Sequence, residues 1–242
     1  RRAALTWASL MDGISKLSDY DIFGYLAPGL VLFAICDISF GTTLFTDMTV
    51  ATGAFVLIAA YVLGHATAAA ATLLWDRIIV RSFLGMPTSN LMAKSQKWRV
   101  PWRKWLLSGY YDPLPSTVRE RVITRAGFTV AQVDAAPNDG WGEKVFARAW
   151  PVIKRDPVPY ARMDSFLRLY GFCRNISFVA FVMAVVFWIN PPTVTGVSVD
   201  GALFGWTALA VSVVMFHRYL KFFRLYSFEV FSTYAEPAPA AP

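Results

Sequence analysis

Few side chains in this 242-residue chain stand where they could do chemistry. Two ionisable groups interrupt apolar runs: Asp37 within Ile22–Phe40 and His65 within Thr52–Trp75. Where such a run crosses a bilayer, an ionisable group is costly to keep and is a functional candidate by default. Asp37 reads either as a carboxylate snorkelling to the membrane surface or as one that lines a pore or pairs within an oligomer. His65 reads either as an interhelical hydrogen-bonding group or as part of a proton or ion pathway. A metal site is not expected, because His217, the other histidine, has no ligand cluster around it. Asp37 and His65 fall at different expected depths, which argues against a direct pair. A third group is basic and aromatic. Trp98, Trp102 and Trp105 recur at helical spacing with Arg99, Arg103 and Lys104 beside them. This is the composition of an interfacial, lipid-contacting helix or of a domain core.

The usual catalytic signatures are absent. There is no phosphate-binding GxxxxGK[ST], no GxGxxG, no HExxH, no GxSxG and no CxxC. Paired carboxylates and metal-ligand spacing are missing as well, so neither an enzyme nor a cofactor is expected. Cys36 and Cys173 lie in or beside apolar runs and read as buried thiols.

The elements that must position these groups are set by hydropathy. The chain is 56% hydrophobic and 16% charged, whereas soluble domains run at about 45–50% and about 25%. Crossing roughly 30 Å of hydrocarbon takes about 20 apolar residues. Four windows meet that need: Ile22–Phe40, broken by Pro28-Gly29; Thr52–Trp75; Phe172–Asn190; and Gly201–Phe216, running on to Leu220. A proline is tolerated in such a helix when neighbours satisfy the carbonyl it strands. Gly64, Ala68, Ala71 and Thr72 form a face of small residues on the second window, suited to close helix packing within or between subunits.

Charge then orients the spans. The 23 Lys and Arg divide into 3 before the first window, 17 over 77–174 and 3 after the fourth. The connections Gly41–Ala51 and Pro191–Asp200 hold none. Basic residues near span ends stay in the cytoplasm. Both termini and the long middle segment are therefore expected there, in a bacterial inner membrane. The segment Asp76–Gly171 carries 16 basic and 8 acidic residues, a balance that favours an anionic inner leaflet. Nucleic acid is not expected as a partner.

The expected organisation is a cytoplasmic amphipathic N-terminus over 1–21, with a helix at Leu5–Leu17. A transmembrane hairpin over 22–75, a cytoplasmic helical domain over 76–171 and a second hairpin over 172–220 follow. A helix extension with a flexible Ala/Pro tail covers 221–242. No cleavable signal peptide is expected. Ser18–Asp21 reads as a helix cap, Gly85–Asn90 as a turn, and Thr117–Glu120 as a capping box opening a helix that Gly127 ends. Ala135–Gly142 reads as a linker, and Glu143–Ile153 as a helix broken near Pro151. Two helices of about 30 residues start after Pro159 and at Gly201, and no strand is expected. At 1.5 Å per residue such helices outreach the hydrocarbon by about 15–20 Å. The fold class is all-α: four transmembrane helices extended into a cytoplasmic helical domain.

Three segments, Tyr20–Leu30 (YDIFGYLAPGL), Ala60–Arg77 with Gly64-His65, and Arg218–Val230 (RYLKFFRLYSFEV), resemble a loose group of bacterial multi-pass membrane proteins. Some proteins of that pattern are encoded beside anti-phage defence genes. The resemblance implies an effector or interaction role. The expected function is an inner-membrane effector or accessory subunit acting through homo-oligomerisation or a membrane complex, with a cytoplasmic protein partner. The rival is a small oligomeric ion or proton channel using Asp37 and His65.

Overall fold

In the computed structural model, residues 18–40, 49–94, 107, 109–137, 139–191, 193–194, 197–198 and 200–236 are described. The expected helix at Leu5–Leu17, the tryptophan-rich segment 95–106 and the tail from 237 lie outside them. The chain is all-α and carries four helices long and apolar enough to cross a membrane. It is a multi-pass membrane protein. Helix α1 starts at Asp19–Asp21, passes through a π-helical stretch, Ile22–Leu26, and continues as Ala27–Phe40. Helix α2 is Val50–Ala71 and runs on as a long π-helical stretch, Thr72–Leu84. Short helices α3 (Pro87–Met92), α4 (Ser116–Arg125), α5 (Val130–Ala135) and α6 (Trp141–Ile153) follow. Helix α7 is Pro157–Ile189 and α8 is Gly201–Ala235. Between α7 and α8, β1 (Thr193–Val194) pairs antiparallel with β2 (Val197–Ser198), a two-residue ladder that was not expected.

The chain divides into two compact units. The first comprises residues 1–78 and 171–219, the second 79–170 and 220–242. Helices α2, α7 and α8 each contribute residues to both.

The first unit holds the spans. Helix α1 opens on a reciprocal cap: the Asp21 amide donates to Ser18 Oγ, and Ser18 Oγ and its amide donate to Asp21 Oδ2. Helix α2 buries one stripe, Gly53, Val56, Ala60, Gly64, Thr67, Ala68 and Ala71. It exposes Phe55, Ile58, Val62 and Leu73 on the opposite side, the division expected of a helix packed on one face and solvated by lipid on the other. Spans α7 and α8 are clasped by two serines. Ser177 Oγ donates to the Ser212 carbonyl at 2.9 Å, and Ser212 Oγ to the Ser177 carbonyl at 2.8 Å. Exposed Trp188 and Trp206 pack edge to face at 5.1 Å toward the end of the spans marked by the β1–β2 turn. Tryptophan concentrates at such membrane–water boundaries.

The second unit closes over an apolar core of Leu91, Val122, Ile123, Val145, Met163 and Phe231. Here the local expectations change. Gly85–Asn90 is no simple turn, because Pro87 takes the first position of α3, where its missing N–H does no harm. No side chain caps α4, which starts after Pro115. The capping box stands instead at Thr129 and Gln132, opening α5, which lies partly in the expected linker. Gly127 ends α4 with φ +75°, as expected. Pro151 does not break α6. It sits in the last turn, so little helix remains for its ring to disrupt. The prolines at 157 and 159 likewise open α7, whose Val158 amide donates to Asp156 Oδ1.

Candidate functional site

The polar side chains of the first unit converge on one level, and proline chemistry explains why. Pro28 offers no amide to the Gly24 carbonyl four residues back, and its ring pushes that carbonyl aside. The Ala27 amide reaches back five residues to Ile22, which is the π-helical geometry. The Gly24 carbonyl turns to another helix and accepts from Asn175 Nδ2 at 2.7 Å. Asn175 is fully buried, and its Oδ1 accepts from Arg174 Nε at 3.2 Å.

Arg174 extends the network. Its Nη1 donates to Asp76 Oδ2 at 2.9 Å, and the Tyr219 hydroxyl donates to Asp76 Oδ1 at 2.5 Å. The guanidinium side chain is 9% exposed and the carboxylate 18%. One chain of hydrogen bonds thus joins α8, α2, α7 and α1 in that order. Asp76 lies on the second π-helical stretch and Gly24 on the first. Such segments gather at functional sites. The three residues also mark the edges of the unit, which the chain leaves after Ile78, re-enters at Gly171 and leaves after Tyr219.

A ring cluster adjoins this level. His65 stacks on Tyr25 at 3.9 Å and meets Tyr61 edge to face at 4.7 Å. Tyr61 donates to Asp21 Oδ1 at 3.3 Å. Tyr20 packs on Tyr25. Burial foremost, and then Tyr25, pushes the Tyr20 hydroxyl up to about 12, so it stays neutral. Beneath the rings the backbones of α1 and α2 touch. A Cβ on Gly29 would overlap the Ala60 carbonyl oxygen, and one on Gly64 would overlap that of Tyr25.

The residues singled out from the sequence are placed as follows. His65 is exposed and, among the described residues, meets the neighbouring helix by ring stacking rather than by a hydrogen bond. Asp37 is 8% exposed, which removes the snorkelling reading, since a snorkelling head needs an accessible surface. The two are not brought together. Tyr25, on which His65 stacks, precedes Asp37 by 12 residues, about 18 Å of helix. Gly64, Ala68 and Ala71 are buried inside the single chain, on the face of α2 that meets its own neighbours. Thr72 returns its hydroxyl to the Ala68 carbonyl at 2.8 Å. Cys173 is buried and Cys36 half-buried. Trp98, Arg99, Trp102, Arg103, Lys104 and Trp105 lie outside the described residues. Among the described residues no group of acidic, His and Cys side chains could hold a metal.

Sequence reading missed Asp76, Asn175 and Tyr219 as a site. The signal was present: Arg174, a lone cation at the start of the third span, needs an anion, and Asp76 ends the second span at the matching depth. No family model, no curated protein and no solved structure matches the chain.

Proposed function

We propose that this chain is an effector or accessory subunit of the bacterial inner membrane. Its second unit and both termini lie in the cytoplasm, where the second unit receives a protein partner. The spanning unit answers by self-association and a change in bilayer permeability, in the manner of a defence response. One observation carries this reading: the largely buried Asp76–Arg174–Tyr219 network stands where α2, α7 and α8 leave the spanning unit. A rotation or shift of α2 or α7 breaks the ion pair, and one of α8 breaks the Tyr219 hydrogen bond to Asp76, so the network favours two discrete states over gradual yielding. The one-sided distribution of the 23 basic residues supports the orientation.

The test uses the full chain in bacterial cells and in lipid nanodiscs. Asp76→Asn is expected to depolarise the membrane, by a voltage-sensitive dye, at expression levels where the unchanged chain does not. Particle mass is expected to exceed that of one copy. A strict monomer, with no depolarisation from either form at any expression level, overturns the reading.

Asp37 favours a second reading, an oligomeric ion or proton channel, because it is a buried carboxylate within a span. Flux through reconstituted vesicles should then fall with Asp37→Asn. Unchanged flux removes Asp37 from the pathway.

A further inference from the structure

The second unit contains a cavity of about 300 Å³ whose walls come from the end of α3 and from α4, α5 and α6. Met92, Val133 and Trp141 supply apolar lining, and Lys94, Arg119 and Asp134 supply charge. Arg119 is the unusual member. Its side chain is 9% exposed, yet it lines the cavity. Nε donates to the Met92 carbonyl at 2.7 Å and Nη2 to Asp134 Oδ1 at 2.6 Å. A guanidinium has five N–H donors. Three are therefore left without a protein partner among the described residues. Arg119 lines the cavity, which gives these remaining donors a ligand to meet there.

The remaining charge points the same way. Asp134 balances Arg119, and that hydrogen bond holds the Asp134 carboxyl below the usual carboxylate range, so it stays ionised. Lys94 Nζ, at the exposed rim, lies 3.4 Å from Asp134 Oδ2. Two cations against one anion leave the lining one positive charge in surplus. The walls are fixed in advance. Gly142 of α6 sits directly on the Thr88–Ser89 backbone with no room for a Cβ, and the Trp141 indole donates to the Ala136 carbonyl at 2.9 Å. A rigid, mostly apolar hollow of this size with a few convergent polar groups is the usual form of a small-molecule site.

We propose that this cavity binds a small organic anion, with one carboxylate or phosphate head against Arg119 and Lys94 and a flat apolar body against Met92, Val133 and Trp141. The inference goes beyond the membrane-effector reading and does not rest on it, because binding is read without any membrane response.

The experiment is calorimetric titration of the full purified chain in detergent with four probes. These are indole-3-acetate, its neutral counterpart indole-3-acetamide, adenosine 5′-monophosphate and inorganic phosphate. At least one of the two organic anions is expected to bind with a Kd below about 1 mM. Indole-3-acetate and adenosine 5′-monophosphate separate a carboxylate head from a phosphate head. Where indole-3-acetate is the one that binds, the neutral amide should bind about tenfold more weakly or worse. Inorganic phosphate alone should bind more weakly than the nucleotide. Lys94→Glu, at an exposed position, should weaken binding about tenfold while leaving the melting temperature unchanged. Arg119→Lys keeps the charge but loses the fork and should weaken it as much. Should that variant fail to fold, Lys94→Glu and Ser89→Trp, which fills the cavity, decide. No binding by either organic anion at about 5 mM, equal binding of amide and acid, or binding untouched by Lys94→Glu and Ser89→Trp overturns the proposal.

Discussion

Pro28 deletes one amide and strands one carbonyl, and Asn175 repairs the loss from a helix whose sequence position is 147 residues away. This compensation makes a sharp expectation. Asn175→Ala leaves the Gly24 carbonyl unmet in a buried site, at about 1–3 kcal/mol. Pro28→Ala restores an amide that can close on Gly24. The loss from Asn175→Ala should therefore shrink by about 1 kcal/mol or more in the Pro28→Ala background. Thermal unfolding of the four forms in one detergent measures the coupling, and strict additivity would break the assignment. The neighbouring Gly29 serves a different end, since it lets the Ala60 backbone touch α1. Pro28 and Gly29 together looked like a weakness in the first span. They are the reason that α1 can hold both α2 and α7.

At the scale of elements, the Asp76–Arg174 pair decides how the spans are held. With 18% and 9% of the side chains exposed, Asp76→Asn leaves a desolvated guanidinium and should cost about 3 kcal/mol or more. Replacing both residues by leucine should cost markedly less, because no charge remains uncompensated. Denaturant titration in mixed micelles compares the two, and equal losses would mean that the pair acts through packing alone. In the second unit, the Arg119–Asp134 bond ties α4 to α5. The Asp134 carboxyl is lowered in the folded state, chiefly by the hydrogen bond from Arg119. Its contribution to stability is therefore present above the unfolded value, about 3.9, and disappears as pH falls through the lower folded value. Unfolding midpoints followed by tryptophan fluorescence should drop below about pH 4, and Asp134→Asn should flatten that drop.

At the scale of the whole molecule, the charge asymmetry predicts the orientation. After Cys36 and Cys173 are changed to alanine, a single cysteine at Thr49 or Asp200 should react with an impermeant maleimide in intact cells. One at Lys154 should react only after the membrane is opened. Labelling of Lys154→Cys in intact cells would reverse the topology.

The four spans and the helical class were legible in the residue order because hydropathy is local and additive. An eighteen-residue window of high mean hydropathy with few charges marks a span whatever surrounds it. The Ser18–Asp21 cap and the Gly127 stop were legible for the same reason, since each closes hydrogen bonds within a few residues. The capping box at Thr117–Glu120 failed because Pro115 supplied a competing start. Partnerships were not legible. Asp76 and Arg174 stand 98 residues apart, and although each ends a span at a similar depth, the order of residues does not say that these two spans lie side by side. Only the packing of α2 against α7 brings the two charges within 2.9 Å of each other, where the low dielectric compels them to pair. Tertiary structure also decided that Gly64 faces inward, that His65 meets aromatic rings, and that Arg119 is buried with donors to spare.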